Sequence, residues 1–510
     1  MRVKKASINV FVNMLTFIIG MLPSFIITKV FIDTLGIELL GLTSLYTNII
    51  GLLSIVELGI GSAIIYSLYK PFAENDQVKI KGYLNYYSRF YKIIGCVIFI
   101  SGLFLLPFLN VFIKNDVSLL EAQIYFILFL LNTLLSYLFS YKLCILTVAQ
   151  EGYKVAIATM LSKLVIAALQ IAMFKLYPSI YGYICIQIVV NGVYYLLINI
   201  YINNKYKWIN KTKGLIEEKE RKSLTKNVKA IFLHKIGGMM VFGIDNLVIS
   251  SFINLTVVGI FNSYNLVIGA AQGVISSALS GVTASVGNLL AEGNNDAYKV
   301  HKRLFFLSFW VVSFVTISLF NTLEQFVFLW LGKGQIMDHF TIQVLLINFY
   351  FMLMRASVER FKEGGGIYHQ DRFAPLFEAT IKLVASVLLV KAIGLPGVFL
   401  GTLISNVGII FWVKPRMVYK YIFNMRLIDY FKMYFKFLLV AVIPLVITSI
   451  LTMSLKENIS IVALSANCLI NIVVINFIYL IVLRNNEEFL YFKKLLLSFV
   501  AKPKPLVMEK

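Results

Sequence analysis

Charge is scarce in this chain, and that scarcity excludes most soluble folds. Only 14% of its 510 residues are charged, while 59% are hydrophobic and the mean hydropathy is +0.82. A soluble domain carries about 25% charged residues to keep its surface wet. The four cysteines (Cys96, Cys144, Cys185, Cys468) are scattered through apolar runs and form no CxxC or Cys/His spacing, so neither a disulfide scaffold nor a metal site is expected. The four histidines (His234, His301, His339, His369) give no HExxH. Gly364-Gly365-Gly366 lacks the lysine and preceding strand of a phosphate loop and reads as an unwound helix end. No enzyme constellation, cofactor or nucleotide site is predicted, which leaves an ion gradient, the membrane potential or the substrate's own gradient as the energy source.

What is present is a succession of apolar runs near the ~20 residues needed to cross hydrocarbon. Barrel strands would alternate polar with apolar over about 10 residues, and these runs do not, so helices are the way to satisfy their backbone in lipid. The first run, Ile8–Val30, is long enough to stay as a membrane span. Fourteen helices are expected, at 8–32, 39–69, 91–113, 119–142, 153–175, 179–202, 228–253, 256–290, 302–331, 336–360, 373–393, 396–413, 434–455 and 459–483.

Basic residues set the orientation, because Lys and Arg collect in cytoplasmic connections. Lys29, Lys114, Lys175, Lys333, Lys391 and Lys456 fall on one side, and Lys163, Lys235, Arg355 and Lys382 fall inside spans. The other 37 of the 47 lie on the opposite side. Both termini are therefore expected in the cytoplasm. The net charge of +22 sits beside the membrane rather than along one groove, which points to anionic lipid headgroups and away from nucleic acid.

An internal repeat is legible. A shift of 218 residues places Gly41 on Gly259, Tyr46 on Tyr264, Gly51 on Gly269, Ala73-Glu74 on Ala291-Glu292 and Lys81 on Lys299. A shift of 219 places Lys163 on Lys382, each inside an expected span. The chain thus reads as an all-α polytopic membrane protein of two parallel six-helix lobes, 1–202 and 228–413, joined by a basic linker at 203–227. A second basic linker (414–433), two more spans (434–483) and a basic tail (484–510) follow. Two parallel repeats suit lobes that rock about a central cavity.

Ionisable groups at membrane depth are costly and are the candidate working parts. Lys163 and Lys382 either face the cavity, where two ammonium groups would attract a phosphate or pyrophosphate, or snorkel to headgroups. Glu378, four residues before Lys382, is a candidate partner for it. Arg355 either contacts substrate or pairs with Glu359. Asp245 is a candidate coupling carboxylate that exchanges a proton or helps to hold a cation. Lys235 shares its helix, and Lys29 either pairs with Asp33 or meets substrate. Glu57, in the run Glu57-Leu58-Gly59-Ile60-Gly61-Ser62, is a candidate cavity carboxylate or proton-sensitive latch beside glycines that allow bending.

The stretches ELGIGSAIIYSLYKP (57–71) and GVTASVGNLLAEG (281–293) resemble the polysaccharide-transporter branch of the multidrug/oligosaccharidyl-lipid/polysaccharide exporter superfamily, and the resemblance spans essentially the whole chain. It implies a MATE-like fold in a bacterial cytoplasmic (inner) membrane. It also implies a flippase that carries an undecaprenyl-pyrophosphate-linked oligosaccharide repeat unit, as for O-antigen, capsule or exopolysaccharide, to the outer leaflet by alternating access. A polysaccharide polymerase and glycosyltransferases are implied partners, a monomer would suffice, and Na+ or H+ is the implied coupling ion. A flippase for the peptidoglycan lipid precursor and a cation-coupled multidrug exporter are the alternatives.

Overall fold

The structure, a computed structural model, describes residues 2–57, 60–113, 117–218, 220–221, 243–280, 286–287, 289–290, 296–367, 370–371 and 373–500. All regular elements among them are helical. In chain order the longer ones are α1 (Arg2–Leu35), α2 (Ile37–Leu53), α3 (Ile60–Ala73), α4 (Gln77–Leu105), α5 (Leu119–Phe139), α6 (Gly152–Leu176) and α7 (Ile180–Lys205). They continue as α8 (243–252), α9 (Leu255–Ser280), α10 (Ala297–Leu331), α11 (His339–Met354), α12 (Ala356–Gly364), α13 (Ala374–Ile393) and α14 (Leu395–Ser405). The last are α15 (Phe411–Tyr421), α16 (Leu427–Leu451), α17 (Ile461–Val482) and α18 (Glu487–Val500). Eleven helical stretches among the described residues are long and apolar enough to cross a bilayer.

The chain forms two compact units, the first of residues 1–281 with 371–410 and the second of 282–370 with 411–510. In the first, α2 and α9 meet backbone to backbone. A Cβ on Gly41 would lie 2.0 Å from the Leu255 carbonyl oxygen, and one on Gly259 would lie 2.4 Å from that of Ile37. Ile37 and Leu255 are 218 residues apart, as are Gly41 and Gly259, so the contact is reciprocal. Glu38 and Thr256, again 218 apart, hydrogen-bond across it at 3.5 Å. Only glycine permits this approach. Elsewhere in the unit α13 turns into α14 through Gly394 at φ 72°, and Gly401 leaves room for Ser386, whose hydroxyl donates to the Val398 carbonyl at 2.8 Å.

The second unit has an aromatic interior around Phe305, Phe309, Tyr430, Tyr434 and Phe437, all buried. A polar seam fastens α16 and α17 to α10. Asn321 donates to Thr448 Oγ1 (2.9 Å) and Asn471 Oδ1 (2.8 Å), and its own Oδ1 accepts from Lys456 Nζ (3.0 Å). Asn467 donates to the Asn321 carbonyl at 2.9 Å. Satisfied polar groups of this kind hold helices together where the surroundings offer no hydrophobic drive.

Three expected spans take a different form. The helix expected at 39–69 breaks after Leu53 into a 3₁₀ turn, Ser54–Glu57, before α3. The tenth breaks at Arg355 into α11 and α12. The twelfth runs on through a π-helical stretch, Asn406–Ile410, to Tyr421. The segment read as a basic tail carries α18, which is amphipathic. Phe489 stacks on Trp310 with ring centroids 5.9 Å apart, and Arg303 lies over Tyr491 at 3.5 Å.

Candidate functional site

The intramembrane charges expected from sequence fall into separate groups. Lys163 lies near the middle of α6, about 16 Å from one end and about 20 Å from the other at 1.5 Å per residue. Its side chain runs beside α1, where a Cβ on Gly20 would lie 3.9 Å from its Cδ. The residue is exposed and has no ion pair among the described residues.

Lys382, placed on Lys163 by the 219-residue shift in sequence, has the opposite environment. It is 1% exposed, and its Nζ lies 2.8 Å from Asp245 Oδ1 on α8. The carboxylate that meets Lys382 comes from α8, and the 218-residue shift puts Ile27 of α1 at the position of Asp245. Asp245, expected as a coupling carboxylate, is thus ion-paired with a lysine of its own chain. Glu378, expected beside Lys382, is also buried on α13.

Glu57 sits where the second span breaks. Tyr91 donates to Oε1, Tyr137 donates to Oε2 at 2.6 Å, and Tyr87 donates to the Tyr91 hydroxyl at 2.7 Å. A Cβ on Gly61 would come 3.0 Å from the Tyr87 hydroxyl, so the glycine after the break makes room for the tyrosine chain. These bonds tie the 3₁₀ turn after α2 to α4 and α5 through a single carboxylate.

In the second unit Arg355 occupies the break between α11 and α12. Its Nε lies 3.5 Å from Glu359 Oε1, and Lys414 of α15 approaches the same oxygen at 2.6 Å. The Arg355–Glu359 pair expected at i,i+4 is present, with a third member from a helix 55 residues on. The hydroxyls of Tyr350, Tyr430 and Tyr434 are buried without a hydrogen-bond partner among the described residues. Lys29 pairs with Asp33 at 3.2 Å, both half-exposed. Lys235 lies outside the described residues. No group of three metal-ligating side chains occurs among the described residues.

Sequence reasoning missed Lys414, Tyr87, Tyr91 and Tyr137. The tyrosines at 87 and 91 stand one turn apart, so they share a face of α4, and that spacing was a usable signal. Lys414 and Tyr137 gave none, since their partners are distant in the chain.

Residues 3–284 match the family model described as polysaccharide biosynthesis protein. The chain belongs to that family. Among solved structures, this member of the family is similar to the lipid II flippase MurJ in an inward closed conformation. The TM-score is 0.70 at 14% identity, over 94% of this chain and 99% of that one. It is also similar to an inward-facing MATE-family multidrug resistance transporter of the MOP superfamily (TM-score 0.62, 14% identity, 79% of this chain and 94% of that one). A MATE transporter of Vibrio cholerae matches with TM-score 0.60 and 13% identity, over 83% of this chain and 98% of that one. No curated protein sequence matches the chain. The family member is thus a polytopic membrane protein with the MOP-superfamily fold.

Proposed function

We propose that this protein is a flippase that moves a polyprenyl-pyrophosphate-linked oligosaccharide from the cytoplasmic to the outer leaflet by alternating access. The carrying observation is Lys163, an exposed ammonium at mid-depth of a span without an ion pair among the described residues. Such a group is too costly against lipid tails and calls for water or an anion. A pyrophosphate headgroup supplies that anion, while its polyprenol remains in the bilayer. Burying the headgroup in hydrocarbon without such a partner would be prohibitive.

In this reading Lys163 meets the cargo. Lys382 and Arg355, already bound to carboxylates, hold the helices that move. Glu57 and Asp245 are gating or coupling carboxylates, with a Na+ or H+ gradient as the drive. The eleven long apolar stretches, the broken α2–α3 pair, α8 and α13 make up fourteen spans, arranged as six-helix halves 1–202 and 228–413 with two further helices. Both termini are cytoplasmic by the basic-residue bias, and a monomer in the bacterial inner membrane suffices. Polymerase and glycosyltransferases act after and before it on the same carrier.

Family membership favours a polysaccharide repeat unit as cargo. The peptidoglycan lipid precursor has the better structural support, because the lipid II flippase matches 94% of this chain and the MATE transporters 79% and 83%. Cation export is disfavoured: both candidate carboxylates are engaged, Glu57 by tyrosines and Asp245 by Lys382.

The test is reconstitution with labelled lipid-linked oligosaccharide and with labelled peptidoglycan precursor, read as headgroup accessibility in the far leaflet. Movement of either supports a flippase, and competition between them names the cargo. Lys163→Ala at equal abundance should slow movement at least about ten-fold, the loss of one charge-assisted contact, and Lys163→Arg should largely keep it. Undiminished movement in Lys163→Ala removes this residue from the mechanism.

A further inference from the structure

An apolar groove of about 550 Å³ lies between α6 and α7 of the first unit. Its floor is built from small residues one turn apart, Ala158 and Ser162, with Val165, Val190 and Val193 farther along and Leu197 on the rim. One end closes on Lys154 and Tyr201. On α6 the lining runs from Lys154 to Val165, and on α7 from Tyr201 back to Val190. Each stretch covers twelve residues, eleven rises of the helix or about 16 Å. Hydrocarbon is about 30 Å thick, so the groove is as long as one leaflet.

Its polar end is a built cluster. Lys154 Nζ donates to Tyr201 Oη at 2.7 Å and to Glu151 Oε2 at 3.0 Å, and Lys205 pairs with the same Glu151 oxygen. Each ammonium has three donors, so two cations share one carboxylate and net positive charge remains where the groove opens. Lys142, bonded to Asn203 Oδ1 at 2.9 Å, adds a third cation close by in the chain. An apolar trough one leaflet deep, ending in excess positive charge, has the shape and charge of a glycerophospholipid with an anionic head.

We propose that this groove is a binding site for an anionic phospholipid, with one acyl chain between α6 and α7 and the phosphate at Lys154 and Lys205. The site is separate from the residues assigned to cargo movement. The basic-residue bias puts its polar end on the cytoplasmic side, where anionic lipids attract Lys and Arg. Polyprenol does not match as well, since its branched chain is far longer than one leaflet and a 16 Å trough would leave most of it outside.

Native mass spectrometry of the full chain tests this with phosphatidylglycerol and phosphatidylcholine of identical acyl chains. The wild-type protein should retain phosphatidylglycerol about five-fold better, the worth of one basic contact near a charged surface. Lys154→Gln should erase that preference while still retaining a chain, and Ser162→Phe, which fills the floor, should lose both lipids. Lys391→Gln should behave as wild type. If Ser162→Phe fails to fold, Val193→Phe on the facing wall gives the same reading. Equal retention of the two lipids by wild type, an unchanged preference in Lys154→Gln, or undiminished retention in the groove-filling variants overturns the proposal. So does displacement of phosphatidylglycerol by stoichiometric undecaprenyl phosphate, which would make the groove a seat for the carrier lipid.

Discussion

Removing the ammonium of Lys382 gives the sharpest energetic test of the charge assignments. Its side chain is 1% exposed and that of Asp245 16%, with 2.8 Å between Nζ and Oδ1. Taking one member from a buried pair strands the other charge, which costs about 3–5 kcal/mol, whereas replacing both by apolar groups of similar volume is often neutral or stabilising. Lys382→Met should therefore lower unfolding free energy by about 3–5 kcal/mol, measured by reversible denaturation in mixed micelles. The double variant Asp245→Leu/Lys382→Met should recover most of that loss. Cargo movement in proteoliposomes separates the two roles of the lysine. A fastener leaves the double variant active, and a cargo-binding cation leaves it inactive at normal stability. A cost below about 1 kcal/mol for Lys382→Met, a typical exposed-pair value, would refute the reasoning, as would a double variant no more stable than the single.

Other perturbations follow from particular contacts. Gly41→Ala should destabilise by at least about 1–3 kcal/mol, the usual cost of overpacking, because its Cβ would sit 2.0 Å from a carbonyl oxygen; the yield of monodisperse protein reads this out. His301 is fully buried among Phe361, Tyr419 and Phe423 with neither ring nitrogen bonded to a described residue. His301→Phe should hold or raise stability, since an unsatisfied buried polar group costs about 1–3 kcal/mol, and a fall in melting temperature would show a missing partner. Burial pushes the Glu151 carboxyl up, but the hydrogen bonds and charges of Lys205 and Lys154 outweigh it and hold it below the ordinary carboxylate range. Its contribution is therefore complete above the unfolded pKa and is lost as pH falls through the depressed folded value. Hydrogen exchange in the turn before α6 should rise in acid for wild type, and Glu151→Gln should flatten that response. Tyr137→Phe removes one of the two tyrosine bonds to Glu57 and should alter cargo movement more than stability.

The membrane-spanning, all-helical character was legible because composition and run length follow from the bilayer itself. The glycines at 41 and 259, aligned by the 218-residue shift, stand where α2 and α9 cross too closely for side chains. Helix breaks were harder. Glu57 and Arg355 lie inside apolar runs that continue past them, and the contacts made there by Tyr137 and Lys414 come from distant parts of the chain. The same limit governs the charges. Lys163 and Lys382 look alike in sequence, yet Lys382 meets Asp245 of α8, a position that the 218-residue shift fills with Ile27 in α1. Pairs at i,i+4, such as Lys29–Asp33 and Arg355–Glu359, could be read from spacing. Asp245–Lys382 and Glu359–Lys414 could not, because nothing local relates their members. Phe489 and Phe492 of α18 stack on Trp310 and Phe306, a packed face that charge counting alone hid within a basic tail.

The crossing of α2 and α9 is self-complementary: each helix offers the other the surface it receives, as subunits do in a symmetric dimer. Two separate polypeptides, one ending after α7 and the other starting before α8, would still carry the two sides of that interface. Co-expressed as halves, they should find each other through it, with the covalent link serving to raise local concentration rather than to define the join.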